Sequence, residues 1–552
     1  MKNTVKAYFS LGNMTMFVSL FLLLAMHSPK DLFTPYLWAE DGKVLISGAI
    51  YNGIKSIFIP GNGAYWVIPK LLAWLCYIVT LPFNNITVLP YLMQVLTKSL
   101  ATLSILYFVC EKFDWVLKEK WQRFFVCVVV VLLFPQGASD VVTCDTSLPF
   151  YFVFPLFLIG LDLLCSPKAS LPSLWQTFFM ILFALSSAAA PFVLLITVAA
   201  VIRVLVMNRK TLFSLSKRSL IIAATKIIFI CIAVWIQLST VLSSGRANSN
   251  FELYRIVANT KYFIFVPYLM SLPLSIKIMW FIGLFSWIIA WRVSKVPFIV
   301  LLYGGAFSWG YMLLSSMTNT VNVFYPSILT GAPRYSFVCY EIAAFIMSLA
   351  VLKLIKKKCV LRYVAFISIF MIAIVAIRRY DIPVIGPDFA VAYRQNAALF
   401  DRKGKERVLI PIGPWSPWEM SIPASILVKD CIEDIDFFVE TTNGAFVGTD
   451  NYGKLDFRTS NFANLSGWAR TGAENQVFSK LLLRSPVSGD YRTAAVLNVR
   501  EDFHGEPIKH NGFAFTLPKD YFGNGLSALE AYGQTTDGAW HHGVWTFATE
   551  IQ

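Results

Sequence analysis

Two adjacent carboxylates, Glu40 and Asp41, stand in the segment Trp38-Ala39-Glu40-Asp41-Gly42. An ionised pair is costly to desolvate at a membrane surface unless it has partners or work to do. Held at the level of lipid headgroups, such a carboxylate takes a proton from a sugar hydroxyl as general base. The alternative is that Asp41 caps the helix that follows, with Gly42 allowing the turn. Asp140 and Asp145 share a second polar loop, where they either position an acceptor or simply form turns. In Gly331-Ala332-Pro333-Arg334-Tyr335 an arginine stands at a helix mouth, where its planar fork grips a phosphate or snorkels to the interface. Glu341 follows on the same helical face, and its burial calls for a partner such as Lys98 or for a wet cavity. Lys70, in Ile68-Pro69-Lys70-Leu71-Leu72, is a further cation for a phosphate. Trp415 and Trp418 stack on sugar faces or anchor their domain at the bilayer surface. His541-His542 reads as a solvated pair, with no matching metal ligands beside it. No Gly-rich phosphate loop, Ser-His-Asp order or zinc spacing appears. No metal ligand set is expected, and a divalent ion is compatible with the sequence but not required by it.

The elements that position these residues are set by composition. Of 552 residues, 57% are hydrophobic and 14% charged, and mean hydropathy is +0.61. A chain so poor in charge cannot coat a water-soluble surface of this size, so most of it faces lipid. A cytosolic enzyme, a disordered tail and a secreted disulfide scaffold are excluded. The net charge of +15 lies in short loops between apolar runs, which writes topology rather than nucleic-acid binding. Apolar runs near 11–29, 86–110, 123–135, 148–165, 173–189, 190–207, 219–242, 276–291, 296–314, 335–352 and 361–377 give about eleven helices, each near the length that crosses about 30 Å of hydrocarbon. The run Tyr65–Phe83 is read as an interfacial helix. That parity keeps Lys112, Lys118, Lys120, Arg123, Arg203, Arg209 and Lys356-Lys357-Lys358 in the cytoplasm. The N-terminus is then cytoplasmic, and the loops carrying the acids and Arg334 share the outer face. Ile46, Ile50, Ile54 and Ile57 recur at helical spacing, with Gly48, Asn52 and Ser56 opposite, which predicts an amphipathic helix lying flat in the interface. After residue 380 the apolar runs shorten and turn residues punctuate them. The division is therefore a membrane domain over 1–380 and a β-rich, sandwich-like outer domain over 381–552. Of nine cysteines only Cys431 falls in that second part, and by location alone Cys144 is an outer cysteine available to pair with it.

A polytopic chain with an acidic pair in its first outer loop resembles the GT-C superfamily of lipid-dependent glycosyltransferases. Within it the likeness is to the bacterial serotype-converting O-antigen glucosyltransferases. It rests on Trp38-Ala39-Glu40-Asp41-Gly42, on Pro60-Gly61-Asn62-Gly63-Ala64-Tyr65, on Pro69-Lys70-Leu71-Leu72-Ala73, and on Ile410-Pro411-Ile412-Gly413-Pro414 with Trp418 and Met420 behind it. Lys70 stands where those proteins usually carry Arg. The resemblance implies an undecaprenyl-phosphate-linked sugar donor and an O-antigen (lipopolysaccharide) or other surface glycan as acceptor. They would meet on the periplasmic side of a bacterial inner membrane, with no nucleotide and no nucleic acid involved. It implies that Asp41, helped by Glu40, deprotonates the acceptor hydroxyl. Attack on the anomeric carbon inverts it, while Arg334, Tyr335 and Lys70 hold the donor phosphate. Asp140, Asp145, Trp415 and Trp418 are carried over as acceptor-side residues, and glucose rests on the likeness alone.

Three rivals stand beside this reading, one of them an inactive scaffold or receptor whose outer β-domain binds glycans. A transporter or flippase of lipid-linked saccharides would also have many helices, with Lys98, Lys277 and Glu341 marking a polar path. Against it, the halves show no repeat, and the acids collect on one face. A polysaccharide polymerase would change chain length rather than add a branch.

Overall fold

The computed structural model describes residues 11–27, 30–33, 37–61, 63–132, 147–187, 189–207, 217–244, 295–318, 333–355, 389–413, 418–425, 431–433, 435–442, 445–446, 454–456, 462–471, 477–494, 496–500, 510–518, 521 and 525–550. The chain is mostly helical before residue 400 and forms β-sheet after it. It divides into two units. The first holds Met1–Leu32, Ile57–Leu72 and Gln94–Ile382; the second holds Phe33–Ser56, Ala73–Met93 and Pro383–Gln552. Composition puts the boundary at 380, whereas the second unit also takes in two segments from the N-terminal region.

Among the described residues, four helices are long and apolar enough to cross a membrane: Leu89–Val109, Leu148–Cys165, Ala190–Met207 and Arg218–Ser243. Leu11–Met26, Leu174–Ala184 and Phe298–Tyr311 are apolar but shorter. The expected runs 276–291 and 361–377 lie outside the described residues. In the first unit, Leu148–Cys165 is buried along most of its length. It carries Phe154 and Phe157 against Phe345, with ring centroids 5.7 and 5.6 Å apart. Edge-to-face packing of this kind adds to the burial of apolar area. Cations that read as topology signals also close helix ends. Arg203 donates to the carbonyls of Leu163 and Ser166 at the end of Leu148–Cys165, where the helix dipole favours a cation. Arg123 is buried and donates to the carbonyls of Val109, Leu117 and Lys118 and to Asp114. Glu341 departs from expectation. It is buried, neither of its oxygens has a hydrogen-bond partner, and Lys98 donates instead to Gln94 Oε1 at 3.0 Å. Lys98 is thus satisfied one turn away on its own helix.

The second unit is a β-sandwich. One sheet runs β2 (Glu419–Ala424), β1 (Glu406–Pro411), β9 (Tyr491–Thr493), β8 (Phe478–Arg484), β12 (Gly525–Thr535), β13 (Trp540–Glu550) and β3 (Ile432–Glu433), with β6 (Lys454–Asp456) also on β13. The other runs β10 (Val496–Arg500), β11 (His510–Pro518), β7 (Phe462–Thr471), β4 (Ile435–Thr442) and β5 (Ala445–Phe446). Strand β7 alternates as a half-buried strand should: Ala463, Leu465 and Ala469 face one way. They share a core with Phe513 and Phe515 of the same sheet and with Leu481, Leu483 and Leu529 of the other. The stretches Val477–Leu483 and Ala494–Val499 read in the sequence as strands between turn signals, and they appear as β8 and β10. His541 and His542 are not a solvated pair. His541 is buried against the Phe478 ring, and His542 lies 4.7 Å from the Tyr532 ring centroid. Their strand sends consecutive side chains to opposite faces. The helix Phe389–Ala397 belongs to this unit, and its Tyr393 hydroxyl donates to the Ile86 carbonyl at 2.6 Å.

Candidate functional site

The acidic segment is bound to the start of the β-domain, within the second unit. Trp38 and Gly413 form a parallel bridge. The Ala39 amide donates to the Gly413 carbonyl at 2.6 Å, and the Gly413 amide donates to the Leu37 carbonyl at 3.1 Å. The chain then turns into a helical run, with the Asp41 and Gly42 amides both donating to the Trp38 carbonyl. Asp41–Ile46 is π-helical, a rare winding that recurs at functional sites, and it passes directly into the short helix Ser47–Asn52. Leu45, Ile46 and Ala49 are buried beneath it. Gly42 lies on the hairpin of β1 and β2, where a Cβ would stand 2.5 Å from Ile412 Cδ1.

Hydroxyls finish the joint. The Ser421 amide on β2 donates to Ser47 Oγ at 2.9 Å, and Ser47 Oγ in turn donates to the Gly42 carbonyl at 3.0 Å. Tyr51 and Ser421 share a hydrogen bond of 3.0 Å, and Arg407 Nε donates to Ser421 Oγ at 2.8 Å. Burial raises the Tyr51 phenol above its ordinary range, against the lowering effect of the Ser421 bond and the Arg407 charge. The Lys43 ammonium lies 5.4 Å from the centroid of the Trp418 ring, a cation–π distance. None of Ser47, Tyr51, Ser421 and Lys43 carries a sequence signal of its own.

The two acids differ in access. Asp41 is fully buried, while Glu40 is half-buried and open to solvent. Asp41 is not a cap: it lies inside the π-helical turn, and Glu40 at the N-cap makes no side-chain capping bond. A base must reach the proton it takes, and in this conformation Glu40 is the member within reach of an incoming hydroxyl.

The flat amphipathic helix predicted over Ile46–Ile57 is not continuous. Gly53 ends Ser47–Asn52 with φ 55° and ψ −138°, a conformation that glycine adopts freely, and Gly53–Phe58 continues as a 3₁₀ turn. The change of winding shifts the register, so Ser56 is buried and Ile54 exposed. In the motif Pro60–Tyr65, in the first unit, Gly61 and Ala64 exchange reciprocal backbone hydrogen bonds. The Tyr65 amide donates to Gln237 Oε1 at 3.0 Å, and Gln237 Nε2 donates back to the Tyr65 carbonyl. Lys70 belongs to the same unit. It is buried in the helix Val67–Thr80, and its ammonium donates to the Ile59 carbonyl, which ties that helix to the chain just before the motif.

The helix Pro333–Ile355 begins where the Arg334 motif predicts a helix mouth. The side chains of Arg334 and Tyr335 lie outside the described residues, as do Asp140, Asp145 and Trp415 and any pairing of Cys144 with Cys431. Among the described residues, no group of three His, Cys, Asp or Glu side chains is placed to hold a metal ion. No family model matches the chain, and neither a curated protein nor a solved structure does.

Proposed function

We propose that this chain is a membrane glycosyltransferase that moves a hexose, with glucose as the first candidate, from a polyprenyl-phosphate donor to a surface glycan. The observation that carries the reading is the clamp between Trp38–Gly42 and the Ile410–Gly413 strand end. Two segments that chemistry and resemblance single out separately, far apart in the chain, are hydrogen-bonded to each other and hold one carboxylate at a solvent-open surface. In the proposed step, Glu40 takes the proton of the acceptor hydroxyl. The oxygen forms a bond to the anomeric carbon as the bond to the phosphate oxygen breaks, and polyprenyl phosphate leaves with inversion. Asp41, buried beneath, fixes the turn that presents Glu40. Arg334, Tyr335 and Lys70 are proposed to neutralise the leaving phosphate, with Asp140, Asp145, Trp415 and Trp418 on the acceptor side. The full count of about eleven spans, a cytoplasmic N-terminus and a periplasmic β-domain in a bacterial inner membrane belong to the same proposal. So does O-antigen as the acceptor.

The test uses the full chain in proteoliposomes, with labelled polyprenyl-phosphoglucose and a glycan acceptor. Wild-type protein is expected to transfer label, and Glu40→Gln is expected to lower the rate by about 10²–10⁴-fold with unchanged melting temperature. Asp41→Asn is expected to lower both rate and melting temperature. Movement of the intact donor lipid between leaflets with no transfer to glycan would assign the chain to transport instead.

A further inference from the structure

A cleft of about 480 Å³ in the second unit has none of Trp38–Gly42 in its walls and has no role in the proposed transfer; its walls include Tyr51, Trp74, Tyr77, Ile78 and Arg402. Its volume is that of a small-ligand site. One wall is aromatic and aliphatic, from the short helix Ser47–Asn52 and from the Val67–Thr80 helix; the other side is the turn between Asp401 and Lys405. The guanidinium of Arg402 is exposed, and Lys403 and Lys405 beside it are exposed as well. The acid of this turn is engaged: Asp401 accepts from Ser425 Oγ at 2.5 Å and from the Lys403 amide at 3.0 Å. One cation, Arg402, stands on the cleft wall, while the Asp401 carboxylate interacts with Lys403 of the same turn.

The surroundings are apolar in a way the rest of the unit is not. Ile54, Leu75, Ile78, Val79 and Phe83 are all exposed, and all lie in the two N-terminal segments of this unit. Among the described strand residues, only Ile432 and Val544 are comparably large and exposed. An aromatic and aliphatic surface rimmed by Lys and Arg is the pattern of a protein face at the headgroup level of a bilayer. A guanidinium above an apolar wall matches an amphiphile whose charged group is a phosphate.

We propose that this cleft binds the phosphate headgroup of an anionic membrane lipid, with Arg402 on the phosphate and Trp74, Tyr77 and Ile78 against the first carbons of its chains. The site holds a structural or regulatory lipid, and it stands whether or not the chain transfers sugar.

The test is native mass spectrometry of the full chain released from neutral detergent, with phosphatidylglycerol or phosphatidylcholine added at matched concentration. The expected result is one retained phosphatidylglycerol, held about ten-fold more tightly than phosphatidylcholine and weakened about ten-fold by Arg402→Gln. Ile78→Glu, which sets a carboxylate at the lip, is expected to weaken it similarly, while Lys118→Gln in the first unit leaves it unchanged. Melting temperatures of the variants separate lost binding from lost folding. Equal retention of the two lipids, or retention unaffected by Arg402→Gln, would overturn the proposal. So would displacement of the lipid by inorganic phosphate alone or by a neutral oligosaccharide at comparable concentration, since the site would then be one for free phosphate or for sugar.

Discussion

A Cβ built on Gly42 would stand 2.5 Å from Ile412 Cδ1 and 3.2 Å from Met420 Cβ. The isoleucine tip can turn aside, but the Met420 Cβ is fixed to its strand. Gly42→Ala is therefore expected to lower stability by about 1–3 kcal/mol, read as a shift in the denaturant or thermal midpoint, and to reduce transfer by loosening the Glu40 turn. An unchanged midpoint would mean that the hairpin and the acidic turn are less closely seated than the contacts require. At this scale the sequence is informative where a residue is expensive. Glu40 and Asp41 are visible because adjacent carboxylates stand out in so apolar a chain, and Trp418 because an indole seldom stands in a polar stretch without a contact. Ser47 and Ser421 are not visible. A serine is cheap anywhere, and only the fold shows that these two join residues some 370 positions apart.

At the level of the element, periodicity succeeds where winding is uniform and fails where it changes. The long apolar helices among the described residues and the strands β8 and β10 appear close to where their patterns place them. The segment after Glu40 passes through π, α and 3₁₀ turns within eighteen residues, so a pattern counted at 3.6 residues per turn groups the buried Ile46 and Ile57 on one face with the exposed Ile54. An ion pair joins the two strands that flank β1, the strand whose end carries the clamp. Arg492 on β9 donates to Glu419 on β2 at 2.6 Å, with both side chains mostly buried, and its guanidinium lies 4.9 Å from the Tyr521 ring centroid. Glu419→Ala leaves that guanidinium without its carboxylate and is expected to cost about 3 kcal/mol. Replacing both residues with well-packed apolar ones should recover much of the loss, and a double-mutant cycle on unfolding midpoints measures the difference.

For the whole molecule, the second unit carries carboxylates that set its acid limit. Burial pushes Glu530 up, but the bonds from Tyr532 and Arg484 outweigh it and hold the group below its ordinary 4.5. The Ser425 hydroxyl and the Lys403 amide hold Asp401 below its ordinary 3.8, and the Thr535 hydroxyl and Ala539 amide do the same for Asp537. Each is lower in the folded state than in the unfolded chain, so each contributes stability above its ordinary value and loses that contribution as pH falls through the folded one. The melting temperature of the β-domain transition is expected to stay level from about pH 7 to 5 and to drop below about pH 4. A transition that sharpens or rises on acidification would contradict this sign. The discontinuity of the unit is what composition cannot reveal, because hydropathy assigns a residue to lipid or water and says nothing about which distant segment it joins. It also has a consequence in time. The Ala39 amide waits for the Gly413 carbonyl until about 370 more residues have left the ribosome, roughly 20–75 s at ordinary elongation rates. Through that interval the nascent acidic turn has no strand to seat on, and a polypeptide arrested before residue 413 would carry it without its clamp.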